Sequence, residues 1–364
     1  MTDTSSAVHT LAYSNCPVPN ALLVGRESQL LAEAGINLDV LGGPLGSLHF
    51  TYDHPAYTRF GGEIPPLVSE GLRAPGRTRL LGVTLFEGKL GFYAADPTLT
   101  APEQLAGHRV GVSASAIRIL RGDLGDYRQL DPWRQTLVAL GTWEARALQH
   151  TLRHSGVTVN DIELVPIETA GVDLPQDRLS ASASVNGSDL FPAVGAHQAQ
   201  VFAGGTVDAL FSWLPWSAEF EDLTGVRPLR DLSLDRTSHY ASVWTISAQL
   251  VDKNPSLVQH LVDTVVRAGS WARDHLTETV AIHARNLGVS ETAVTRGFGE
   301  HFTDNLVPTL DHDALTVLAA TQRYLVDHDL VDKAIDLTDW SAPEFLQTSL
   351  RTCAAGTSAI GEYE

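Results

Sequence analysis

At 364 residues the chain exceeds one ordinary hydrophobic core and suits two α/β domains. Hydrophobic residues make up 43% and charged residues 19%, which excludes a disordered chain; the formal charge of −18 argues against nucleic acid, whose phosphates require clustered Lys and Arg. No segment approaches the roughly 18 apolar residues that span a bilayer, and residues 1–10 lack the apolar heart of a signal peptide, so the expectation is a cytoplasmic protein with no membrane partner.

Short apolar runs alternate with amphipathic stretches, the pattern of an α/β fold. In chain order, the sequence predicts a strand at 11–14, a helix over 20–34, strands at 38–41 and 48–51, a helix over 64–72, and strands at 80–84, 91–94 and 109–113. Helices over 116–123 and 132–154, a strand at 163–167, a helix over 194–203 and strands at 209–213 and 241–246 follow. The remainder reads as helices over 256–274, 277–287, 290–302, 312–327 and 342–351. Two segments look like crossovers between domains: 96–107, with Pro97, Pro102 and Gly107, and the polar run 225–239. They divide the chain into a discontinuous domain of residues 1–99 and 239–364, carrying the catalytic candidates, and a second domain of residues 100–238. Two crossings make a hinged cleft, a favoured ligand site. The polar stretch 169–186 reads as a surface loop. No phosphate-cradling Gly-x-x-x-x-Gly-Lys-Ser/Thr occurs, and no Gly-x-Gly-x-x-Gly follows a strand, so ATP or NAD use is unsupported.

The two cysteines, Cys16 and Cys353, form no Cys-x-x-Cys pair, which argues against a dithiol or thiolate metal site. Cys16 sits in Ser14-Asn15-Cys16-Pro17-Val18-Pro19-Asn20, between the carboxyl end of a strand and a helix start. Ligands of open α/β sheets bind at such corners, and a thiol placed there is exposed to anion-attracting N–H groups. The alternative is an inert buried cysteine. His49, in His49-Phe50-Thr51-Tyr52-Asp53-His54, can exchange a proton with a thiol or simply satisfy a core contact. In Arg59-Phe60-Gly61-Gly62-Glu63-Ile64-Pro65-Pro66, the two glycines allow a tight turn that presents N–H groups, and Arg59 offers a fork for a two-oxygen anion. A plain turn with a solvated Arg is the bland alternative. Residues 111–116 follow a strand and precede a helix, where Ser113 or Ser115 reads first as an N-cap. Trp133, Trp143, Phe211, Trp213 and Trp216 suit the walls of an aromatic pocket, although each one alone reads as core.

These pieces together resemble the 2'-hydroxybiphenyl-2-sulfinate desulfinases of bacterial dibenzothiophene desulfurisation. The likeness lies in the Cys16 and Arg59 segments, in His49-Phe50-Thr51-Tyr52-Asp53, and in further stretches at 71–79, 111–118, 131–137 and 212–216; it spans about residues 11–350. It implies an α/β, two-domain periplasmic-binding-protein type II-like fold with an interdomain cleft. It further implies Cys16, His49 and Arg59 as catalytic residues, the Gly62 N–H on the sulfinate, and no metal or organic cofactor. The expected pocket comprises Ser14, Phe50, Tyr52, Gly61, Gly62, Trp143 and Leu214. His54 is a departure: the best-known member of the family has glutamine at that place. The implied reaction is hydrolysis of a small aromatic sulfinate to a hydroxybiphenyl and sulfite by a monomer, with Cys16 acting either as proton donor to the ring carbon or as nucleophile on sulfur. The rival from another class is a non-enzymatic small-anion solute-binding protein on the same fold.

Overall fold

The computed structural model describes residues 8–41, 54–73, 75–88, 90–167, 193–299 and 301–360. Two sheets organise them. The first has five strands in the order β2-β1-β3-β9-β4, built from β1 (His9–Ser14), β2 (Ile36–Val40), β3 (Tyr57–Gly62), β4 (Thr78–Phe86) and β9 (Tyr240–Ser247). The second has four, ordered β5-β8-β6-β7, from β5 (Gly91–Ala94), β6 (Arg109–Val112), β7 (Glu163–Pro166) and β8 (Ala209–Ser212). In the first sheet β1 runs parallel to β2 and β3, while β9 lies antiparallel between β3 and β4.

The central strand β3 departs from the sequence reading, which took Arg59–Gly62 as a turn. Tyr57, Thr58 and Phe60 favour a pleated strand, and all six positions are buried. Phe60 stacks on Trp244 of β9, ring centroids 5.7 Å apart and 9° from parallel. The Trp244 indole N–H donates to Thr58 Oγ1 at 3.0 Å. Burying a side chain such as Phe60 contributes about 1.5–3 kcal/mol. That packing pins one face of β3 and leaves Arg59 and Gly61 on the other.

Several expected helices are divided. The helix over 20–34 breaks into Ala21–Glu27 and Leu30–Glu33, with Gln29 left-handed at φ 67° between them. The one over 132–154 breaks at Gly141 into Pro132–Leu140 and Thr142–Leu152. A Cβ on Gly141 would come within 2.5 Å of the Ala116 backbone nitrogen, so this break allows a close helix approach. β8 stops at Ser212, one residue short of the expected 209–213, and a helix, Trp216–Thr224, follows. β5, placed in the first body by the sequence reading, pairs with β8 in the second sheet, so the chain first passes between sheets at 87–90. The C-terminal segment around Cys353 belongs to the helix Pro343–Ile360, and Cys353 is exposed. The expected strand at 48–51 and loop at 169–186 lie outside the described residues. No helix among the described residues is long and apolar enough to cross a membrane.

Candidate active site

The chain leaves the first sheet after Ser14, which is in register with Arg59 of the neighbouring β3. Residues 15–19 form the corner before the helix Ala21–Glu27. Asn20 caps this helix by accepting from the Leu23 N–H at 2.7 Å. Its amide group donates to Val18 O at 3.0 Å and Phe60 O at 3.4 Å, tying the corner to β3. The Val18 N–H donates to Cys16 O at 2.8 Å, closing a tight turn around the cysteine. Cys16 is consequently held with only 8% of its surface exposed.

Arg59 is 1% exposed, in keeping with a guanidinium whose hydrogen bonds are built in. Its Nη1 donates to Gly62 O at 2.9 Å and its Nη2 to Cys16 Sγ at 3.6 Å. Gly61 makes this contact possible. A Cβ there would overlap the Cys16 sulfur and lie 2.5 Å from Cys16 Cβ and 2.9 Å from Arg59 Nη2. At Gly62 a Cβ would lie 2.5 Å from the Tyr240 hydroxyl and 2.9 Å from the Trp143 ring. The diglycine thus lets the main chain of β3 press against the thiol on one side and two aromatic side chains on the other.

A distant element locks the corner. Asn286, on the helix Leu276–Leu287, accepts from Asn15 Nδ2 at 2.7 Å and donates to Cys16 O at 3.3 Å. The Tyr13 hydroxyl donates to Asn15 Oδ1 at 3.3 Å. The carbonyl of the thiol-bearing residue is therefore fixed from an element far along the chain.

Beside the diglycine lies a cavity of about 60 Å³, whose lining includes Glu63, Leu90, Leu140, Trp143, Arg146, Phe211, Trp213, Leu214 and Tyr240. Both sheets and their helices contribute to it. Trp213 stacks on Phe211 at 5.7 Å, and Trp143 meets Tyr240 at 5.4 Å. Two charged groups of this wall, Glu63 and Arg146, are buried. Trp143 Nε1 donates to Glu63 Oε1 at 3.0 Å. Burial raises the Glu63 carboxyl above its ordinary pKa, against the opposing pull of its hydrogen bonds and of Arg146 and Arg59. Burial likewise lowers the Arg146 guanidinium pKa, opposed by Glu63. Arg146 donates to Thr321 Oγ1 at 2.6 Å and lies 5.8 Å from the Tyr324 ring centre.

A buried thiol and a buried guanidinium against a glycine-thinned strand, with an aromatic cavity that Glu63, the next residue along, helps to line, can hold an aryl group bearing a small two-oxygen anion. No family model matches the chain. It is, however, 61% identical over 342 residues to the 2'-hydroxybiphenyl-2-sulfinate desulfinase of Rhodococcus erythropolis, covering 94% of this chain and 93% of that relative. The relative of the same description from Rhodococcus qingshengii gives the same figures. The chain belongs to the 2'-hydroxybiphenyl-2-sulfinate desulfinase family.

Solved structures agree with this desulfinase assignment. The desulfurization enzyme DSZB matches with a TM-score of 0.88 at 61% identity, covering 94% of this chain and 99% of that one. A cysteine-to-serine mutant of DSZB in complex with biphenyl-2-sulfinic acid matches with a TM-score of 0.91 at 60% identity, covering 95% and 99%. The periplasmic aliphatic sulphonate binding protein SsuA from Escherichia coli matches at 0.60 with 15% identity over 92% of each chain, which shows the shared fold. The desulfinase chain thus has the two-domain, periplasmic-binding-protein type II-like fold that the sequence resemblance implies.

Among the residues singled out in the sequence, the structure brings Cys16, Arg59, Gly61 and Gly62 together and puts Trp143 and Leu214 on the cavity wall. Ser14 is buried beside Arg59, and its hydroxyl has no partner among the described residues. His49, Phe50 and Tyr52 lie outside the described residues. His54 accepts from the Ala56 N–H at 3.2 Å and so holds a local turn. Ser113 caps the helix Ala114–Leu120, and its own N–H donates to Glu144 at 2.6 Å. Asn286, Glu63, Arg146 and Tyr240 were not singled out. Glu63 adjoins the diglycine in sequence, and that adjacency is the signal that points to it. Asn286 carries no local signal, because its partners are 270 residues away.

Proposed function

We propose that this chain hydrolyses 2'-hydroxybiphenyl-2-sulfinate to 2-hydroxybiphenyl and sulfite, with Cys16, His49 and Arg59 as the catalytic residues. The observation that carries the reading is the Arg59 guanidinium donating to the Cys16 sulfur at 3.6 Å across the space that Gly61 leaves empty. A relative with a serine in place of a cysteine was crystallised with biphenyl-2-sulfinic acid, which fits a thiol at the reacting position. In this reading the sulfinate oxygens rest on Arg59 and on the Gly61–Gly62 main chain, near Ser14, while Phe50, Tyr52, Trp143 and Leu214 enclose the rings. Because β1 ends at Ser14, opposite Arg59, no described strand accompanies the diglycine on that side. Fixed donors at this edge oppose the charge that shifts as the C–S bond breaks.

In this reading Cys16 is the proton donor, its sulfur held by the Arg59 guanidinium. Cys16 transfers its proton to the ring carbon bearing sulfur. The C–S bond breaks, its electron pair having gone to the new C–H bond, and sulfur leaves as sulfur dioxide. Water converts sulfur dioxide to bisulfite and a proton, and His49 returns that proton to the Cys16 sulfur. The chain acts as a cytoplasmic monomer without a cofactor. Among the described residues Cys16 forms no disulfide, as suits a reducing compartment. The reading also retains a hinge between residues 1–99 with 239–364 and residues 100–238, with the first boundary drawn back to place β5 in the second body.

Purified protein given the sulfinate without added metal releases sulfite and 2-hydroxybiphenyl in equal amounts. Binding without sulfite release would instead make it a solute binder. A mass increment on Cys16 during a single turnover would replace proton donation with nucleophilic attack.

A further inference from the structure

Glu63 directly follows the diglycine, is 1% exposed and lines the aromatic cavity. Its Oε1 accepts from the Trp143 indole N–H, whereas its Oε2 has no hydrogen-bond partner among the described residues. Arg146, the cation on the same wall, donates to Thr321. A buried carboxyl left half-satisfied is costly unless a partner arrives with the ligand. Around it the cavity is largely apolar, formed by Leu90, Leu140, Phe211, Trp213 and Leu214.

The proposed substrate supplies such a partner. Its sulfinate and its hydroxyl sit on the ortho positions flanking the bond between the rings, so rotation about that bond can bring the hydroxyl close to the group that grips the sulfinate. Glu63 is the residue next to that grip in the chain. We infer that Glu63 is a specificity-determining residue whose unpaired carboxyl oxygen hydrogen-bonds the ring hydroxyl of 2'-hydroxybiphenyl-2-sulfinate, an inference that rests on the desulfinase reading above. The burial that raises its pKa favours a neutral carboxyl, which meets a phenol without burying a charge. Trp143 acts as a positioning residue by fixing the rotamer of the acid.

The test compares kcat/KM for 2'-hydroxybiphenyl-2-sulfinate and biphenyl-2-sulfinate in the wild type, Glu63→Gln and Glu63→Leu. The wild type prefers the hydroxylated substrate by about threefold to tenfold, the range of one neutral hydrogen bond. In Glu63→Leu this preference falls to about one while turnover of the unhydroxylated substrate persists; in Glu63→Gln, which keeps both a partner for Trp143 and a polar group for the hydroxyl, much of it survives. An unchanged preference in Glu63→Leu, or equal losses on both substrates, overturns the inference and leaves Glu63 as a support for Trp143. Should Glu63→Leu fail to fold, infrared difference spectra decide. Binding of 2-hydroxybiphenyl shifts a carboxyl C=O band in the wild type, biphenyl does not, and the band is absent in Glu63→Gln. Identical spectra with the two ligands overturn the inference. Failure of the wild type to release sulfite from either substrate strikes the desulfinase reading instead.

Discussion

Replacing Gly61 with alanine adds one methyl group at the point where the site has no room. The new Cβ overlaps the Cys16 sulfur, 2.5 Å from Cys16 Cβ and 2.9 Å from Arg59 Nη2. Gly61 is absent from the positive-φ positions, so backbone strain plays no part and the effect is purely one of space. Asn20 and Asn286 hold the Cys16 corner from two sides, so the sulfur cannot withdraw without losing hydrogen bonds. Overpacking of this kind costs about 1–3 kcal/mol, and a reacting group displaced by about 1 Å loses on the order of 100-fold in rate. Gly61→Ala therefore melts a few degrees below the wild type, and its kcat for sulfite release falls about 100-fold. Gly204→Ala is the control, because the nearest atom to its new Cβ is an ordinary 3.4 Å away and its φ is −75°. Thermal melts and a sulfite-release assay on the two variants decide the matter. A Gly61→Ala protein with wild-type rate and melting temperature would show that the sulfur does not sit against β3.

Three further outcomes are expected. Arg59→Lys loses about 100-fold or more in kcat/KM, since one ammonium cannot reach both Gly62 O and the thiol–sulfinate site as the planar fork does; steady-state kinetics check this, and a loss below about threefold would remove the fork from the mechanism. Asn286→Ala lowers kcat about tenfold while KM stays within about twofold, because the loss loosens the cysteine rather than the pocket; a change confined to KM would place Asn286 in substrate binding. His283 is fully buried against Phe302, and desolvation pulls its pKa down from 6.5 to about 3. The unfolded chain then binds the extra proton below pH 6.5, so this histidine's stability contribution is complete above 6.5 and is lost as pH falls toward 3, by up to about 1.4 kcal/mol per pH unit. Melting temperatures of wild type and His283→Phe between pH 7 and 5 check it, and parallel curves would contradict the assignment.

Much of the frame was legible because its signals are local. Leu11–Ser14 is an apolar run ending in a polar corner, and the largely buried strands β4 and β9 read as near-continuous apolar stretches. β3 escaped notice because Arg59 and two glycines break any apolar pattern; only its packing between β1 and β9 makes it a strand. The helix breaks at Gln29 and Gly141 escaped because periodicity continues across each; at Gly141 the interruption answers to a close approach by Ser115 and Ala116. Within the site, Cys16, Arg59 and the diglycine stand in two short motifs. Asn286, Tyr240 and Arg146 reach it only through the fold, from segments whose local sequence reads as ordinary helix or strand.

The most direct test of the account is a comparison of sulfite release by the wild type and Cys16→Ser, with substrate binding measured in parallel. The account predicts that Cys16→Ser binds 2'-hydroxybiphenyl-2-sulfinate with near-wild-type affinity and releases no sulfite above background. Turnover at the wild-type rate in that variant would contradict it.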